Sequence, residues 1–99
     1  MRMMIRVTVP VEQGNATVKD GSLGAIMQAF MAEHKPEAAY FAAEGGNRTA
    51  YFVVGISDTS NIPPMAEPFF MGLNAKVEFI PVMNAEELGK GLSRLKSAG

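Results

Sequence analysis

The 99-residue sequence has no cysteine, no tryptophan and a single histidine, His34. Without cysteine there are no disulfides, no thiolate catalysis and no cysteine-ligated zinc or iron–sulfur site. One imidazole leaves no histidine cluster for zinc or haem, so no metal and no cofactor is expected. Charge of one sign is also lacking. Nine Lys and Arg stand against ten Asp and Glu, a net charge of -1, which gives no electrostatic footprint for nucleic acid. No apolar run approaches the ~20 residues of a membrane span. The opening stretch, broken by Arg6 and Thr8, lacks the ~7–15 apolar residues of a signal-peptide core. The expectation is a cytoplasmic protein with neither a nucleic-acid nor a membrane partner. No repeat, low-complexity tract or linker divides the chain, so residues 1–99 are expected to form one domain. Hydrophobic residues make up 47% and charged ones 19%, which suffices for one modest core without staples.

Residues 2–9 alternate, with Met3, Ile5, Val7 and Val9 on one row and Arg2, Met4, Arg6 and Thr8 on the other. One fully apolar row at period two predicts a half-buried strand, ended by Pro10. Leu23, Ile26, Met27, Phe30 and Met31 follow helical spacing within a helix expected over 15–34, with Asn15 as N-cap and Lys35-Pro36 as stop. Gly21 and Gly24 are costly there. The helix either bends through them or breaks near Gly21 and restarts with Ser22, and one bent helix is preferred. Strands are expected over 38–44 and 49–56 around Gly45-Gly46-Asn47. A second helix is expected over 62–73, capped by Ser60 or Asn61, with Pro63 and Pro64 in its first turn, Pro68 bending it and Asn74 ending it. A fourth strand is expected over 76–83, with Val77, Phe79 and Met83 on one row and Lys76, Glu78, Ile80 and Val82 on the other. Asn84 and Glu87 have capping-box spacing ahead of a short tail helix with Leu88, Leu92 and Leu95.

The resulting order, β-α-β-β-α-β plus a C-terminal helix, is the α+β, ferredoxin-like pattern: a four-stranded antiparallel sheet with both main helices on one face. The other face is left bare. It carries Met4, Thr8, Ile80 and Val82 beside Arg6 and Glu78, and a second copy of the chain is its simplest cover. Several segments carry a resemblance that covers most of the chain: Gly24-Ala25-Ile26-Met27, Lys35-Pro36-Glu37-Ala38 with Tyr40-Phe41, Ala66-Glu67-Pro68 with Phe70, and Asn74-Ala75 with Glu78-Phe79. Through them the sequence resembles the dimeric α+β barrel superfamily, and within it a group of small, functionally uncharacterised bacterial proteins. The resemblance implies a homodimer with its sheets face to face. It brings no catalytic motif.

The candidate site residues are Arg6, Tyr40, Tyr51 and Glu78. Arg6 and Glu78 fall on neighbouring strands of the expected order. They read either as an anion clamp with a general base, or as a cross-strand ion pair, the commoner role. Tyr40 and Tyr51 lie on paired strands, where a phenol can meet a ligand but more often packs. His34 could act as a base. Its place at a helix end suggests a partner for the helix dipole instead, and Glu33 and Glu37 do not converge with it on a metal. The eight methionines fit core gap-filling or an adaptable apolar pocket. Three functions stay open: a cofactor-free enzyme acting on a small organic substrate, with His34 among its polar groups; a non-catalytic small-ligand-binding or sensory dimer; and an interaction module that buries its sheet face against a partner.

Overall fold

The structure is a computed structural model that describes residues 1–95. Strand β1 (Arg2–Val9) runs directly into helix α1 (Val11–Asp20) and then α2 (Ser22–His34). The hairpin β2 (Ala38–Glu44) and β3 (Asn47–Gly55) follows, then α3 (Ile62–Leu73), β4 (Lys76–Pro81) and α4 (Ala85–Leu92). The four strands form one antiparallel sheet in the order β2-β3-β1-β4. This is the ferredoxin-like βαββαβ arrangement with its first helical segment split and a helix added at the C-terminal side. Among the described residues no helix is long and apolar enough to cross a membrane.

The helix expected over 15–34 is two helices. Pro10, at φ -58°, ends β1 and at once serves as N-cap of α1. Its fixed φ suits a helix start as well as a strand end, so the helix begins at Val11 and Asn15 lies inside it. Gly21 then adopts φ +82° and its N–H bonds the Val18 carbonyl at 3.3 Å, which closes α1. The Asp20 carboxylate accepts from the Ser22 N–H at 2.8 Å and from its hydroxyl at 2.6 Å, so α2 restarts at Ser22.

Two strand boundaries also move. Gly45 and Gly46 both take positive φ, +60° and +82°, and form a two-residue hairpin turn. Asn47 therefore pairs with Glu44, and β3 spans 47–55 instead of 49–56. Strand β4 stops at Pro81, short of the expected residue 83, and Met83 is exposed off the core row. Asn61 occupies the N-cap position of α3 but makes no side-chain cap bond to it; side-chain capping comes one turn earlier, where the Asp58 carboxylate accepts from Ser60 in a short 3₁₀ turn (Thr59–Asn61) that leads into α3. Asn74, at φ +50°, ends α3 as expected.

The core lies between the sheet and α2 and α3. Ile5, Val7, Phe52, Phe69 and Leu73 are fully buried in it. Phe30 packs on Phe52 and Phe69 at centroid separations of 4.6 and 5.0 Å. Helix α4 behaves differently. The Asn84 side chain accepts from the Glu87 N–H at 2.8 Å while Glu87 accepts from the Asn84 N–H at 3.0 Å, the expected capping box. Yet every residue from Ala85 to Leu92 is exposed.

Candidate functional site

Strand alternation sends Met3, Ile5, Val7 and Val9 toward the helices, and so turns Arg2, Met4, Arg6 and Thr8 to the opposite face. Among the described residues no helix covers that face, since α2 and α3 pack on the other side and α4 is wholly exposed. The register places all four candidate residues in line across it. Tyr40 of β2 pairs with Tyr51 of β3, Tyr51 with Arg6 of β1, and Arg6 with Glu78 of β4. The row is aromatic at one end and charged at the other.

Arg6 and Glu78 form a two-point ion pair. The Arg6 Nε donates to Glu78 Oε1 at 3.0 Å and Nη2 donates to Oε2 at 2.8 Å, each side chain retaining 31% exposure. A second carboxylate, Glu44 at the end of β2, accepts from Arg6 Nη1 at 3.4 Å. The hydrogen bonds from Arg6 and its positive charge hold the Glu78 carboxyl below the usual glutamate range, against a smaller opposing effect of desolvation. In turn the Glu78 contacts raise the Arg6 pKa. The sequence pattern already contained Glu44, because Tyr40, Ala42 and Glu44 share one side of β2, but the expected connection, residues 45–48, is two residues longer than the Gly45-Gly46 turn that fixes its register.

Neighbouring rows differ in character. On one side Ala38, Val53, Met4 and Ile80 form a fully apolar row, each residue half-buried. On the other, Ala42, Thr49, Thr8 and Lys76 form a mostly polar one. At the rim Arg2 lies between Glu37, with N···O 2.6 Å, and Glu87 of α4, an arrangement not anticipated from sequence. The described residues of this face and its rim thus set four carboxylates (Glu37, Glu44, Glu78, Glu87) against three cations (Arg2, Arg6, Lys76).

His34 does not join the row. It ends α2 on the helix side, its ring 4.8 Å from that of Phe30 and its Nε2 3.8 Å from Glu33. Only 13% of its side chain is exposed. Two hollows of the single chain also lie away from the row. One, of about 180 Å³, sits between the β2–β3 edge and α2, lined by Leu23, Met27, Phe41 and Ala50 with Arg48. Another, of about 480 Å³, is an open cleft beside Met1, Glu33, His34, Ser57 and Asn61. Among the described residues no three Asp, Glu or His side chains gather at metal-binding range.

No family model matches the chain, and no curated protein or solved structure matches it.

Proposed function

We propose that this protein is a homodimer that holds a compact organic molecule between two copies of its open sheet face and does not transform it. The observation that carries this reading is the Tyr40–Tyr51–Arg6–Glu78 row on the face that no helix covers. An apolar row beside a row of phenols and a fixed ion pair combines burial with directional polar groups, as small-molecule sites do. Two four-stranded sheets put about eight strands around one space, which is wide enough for side chains or one small ligand. That arrangement is the dimeric α+β barrel the sequence resembles.

The charges favour an uncharged or cationic molecule over an anion. Arg6 already meets two carboxylates, so an anion must displace one of them before it gains the guanidinium. Within the row, the cofactor-free enzyme reading casts Glu78 as the general base. Two hydrogen bonds from Arg6 occupy both carboxylate oxygens and hold Glu78 below the usual glutamate range, which favours the ion-paired form over proton uptake.

Benzamidine and benzoate, similar in shape and opposite in charge, test the reading when titrated into the protein and followed by NMR at the two tyrosine rings and the Arg6 Nε–H. Benzamidine is expected to shift these signals at concentrations where benzoate leaves them unmoved. The reverse order overturns the charge assignment, and silence from both probes overturns the binding reading.

A further inference from the structure

The rows of the open face determine how a second copy fits on it. This step rests on the homodimer reading above. Two copies of one flat face can stack about a twofold axis that lies between them and runs either along the strands or across them. An axis across the strands, centred on the Tyr40–Glu78 row, lays each strand over itself. Glu78 then meets the partner's Glu78 and Arg6 meets the partner's Arg6. The apolar row of Ala38, Val53, Met4 and Ile80 is driven onto the row holding Thr49, Thr8 and Lys76. Like charges oppose one another and an ammonium group is pressed on Ile80.

An axis along the strands keeps each row at its own level and reverses it end for end. The apolar row then packs on the partner's apolar row. The charged end of the central row lies over the partner's aromatic end, so that Glu78 faces the partner's Tyr40 and Arg6 faces the partner's Tyr51. A phenol donates to a carboxylate, and a guanidinium sits well on an aromatic face. Lys76, at the β4 edge, comes to the side of the partner's Glu44 at the β2 edge. The strands of the two sheets also stay near parallel, as aligned sheet packing requires (within about 30°).

We propose that the two copies pair about an axis along the strands, and that each binding site is composite: Arg6 and Glu78 from one copy, Tyr40 and Tyr51 from the other. The dimer then offers two equivalent composite sites in a space that takes one small ligand at a time, and neither is complete in a single chain. A ligand enters by displacing the contact between the ion pair of one copy and the phenols of its partner.

Opposed positions can be exchanged for complementary charges. Ala38 and Ile80 lie at opposite edges of their own sheet, three strand spacings or roughly 14 Å apart. In the proposed dimer each faces the other across the interface. Ala38→Asp alone and Ile80→Lys alone are each expected to weaken the dimer by about tenfold or more in sedimentation equilibrium, because each buries an unpaired charge. The double variant A38D/I80K is expected to recover most of the wild-type affinity, since each new carboxylate then meets a new ammonium group on the partner. Recovery cannot come from within one chain at that separation.

Tyr40, at an exposed edge, provides a second pair of variants that leaves the core untouched. Tyr40→Lys is expected to keep the dimer by pairing with the partner's Glu78, whereas Tyr40→Glu loosens it. Under an axis across the strands both loosen it alike. Circular dichroism confirms that each variant is folded. If A38D and I80K weaken the dimer but their combination does not restore it, or if Y40K and Y40E dissociate it equally, the axis along the strands is wrong while the homodimer stands. Single variants that leave the dimer at wild-type affinity remove the apolar row from the interface and overturn the proposal. A wild-type chain that sediments as a monomer overturns the homodimer reading itself.

Discussion

At Arg6 one guanidinium meets two carboxylates, Glu78 through two hydrogen bonds and Glu44 at 3.4 Å. The depressed Glu78 pKa ties this contact to acid stability. A carboxylate whose folded pKa lies below its unfolded value stabilises the fold fully above the unfolded value, about 4.3 for glutamate. That contribution fades as pH falls through the lower folded value. Asp20 and Asp58 are also held low, by Ser22 and Ser60, so the wild-type profile sums several groups. Comparison with Glu78→Gln isolates one of them. In denaturant titrations at a series of pH values, wild type is expected to exceed the variant most at neutral pH, and the gap is expected to narrow below about pH 4.3. A gap that does not change with pH means that the ion pair contributes no charge-dependent stability. Arg6 and Glu78 were legible from the sequence because strict alternation in β1 and β4 fixes which side chains share a face. His34 ends α2, as its spacing indicates, and stands apart from the row, because a residue at a helix end belongs to whichever face the helix packs.

Among the elements, α1 and α2 show where periodicity misleads. The apolar stripe from Leu23 through Met31 is genuine, with Met27 and Phe30 buried in the core, and it says nothing about where the helix begins. The start and the break are set by Pro10, whose pattern signals only a strand end, and by Gly21, where a break with restart at Ser22 is the less favoured alternative to one bent helix. In contrast, the 62–73 helix and the tail-helix cap were readable, because Asn74 and Asn84 act through local backbone preference and short-range hydrogen bonds. The break predicts opposite outcomes at two glycines. Gly21 sits at φ +82°, so Gly21→Ala is expected to cost about 1–2 kcal/mol in chemical denaturation. Gly24 lies inside α2 with open space where a Cβ would go, and Gly24→Ala is expected to stabilise by up to about 1 kcal/mol. A single bent helix predicts that the two substitutions behave alike.

For a chain of 99 residues the molecule is long, 61 Å by 28 Å by 18 Å. Helix α4 contributes no buried residue to it. Eight residues that include Gly89 and Gly91 make a helix too short and too glycine-rich to persist alone in water. Its Leu88 and Leu92 are about half exposed, and Leu95 beyond its end is 72% exposed. The Arg2–Glu87 ion pair ties its first turn to the rim of the open face. The sheet face supplies a footprint of roughly 400–500 Å² per copy, from four strands about 4.8 Å apart and six to eight residues at about 3.3 Å each. Stable interfaces bury roughly 800 Å² per partner. In the proposed dimer, the leucine stripe of α4, tied to the rim of the open face through Glu87, is available to supply the difference by packing on the second copy. Leu88→Ser combined with Leu92→Ser in the full chain separates this contribution from folding. Because neither leucine is buried within its own chain, the stability of the isolated monomer is expected to change by less than about 1 kcal/mol for the two substitutions together. The dimer dissociation constant is expected to rise about tenfold, the equivalent of ~1.4 kcal/mol. Sedimentation equilibrium reads the second quantity, and denaturation in the Ile80→Lys background reads the first. Unchanged dimer affinity means that α4 lies outside the interface, and the sheet faces must then hold the two copies together alone.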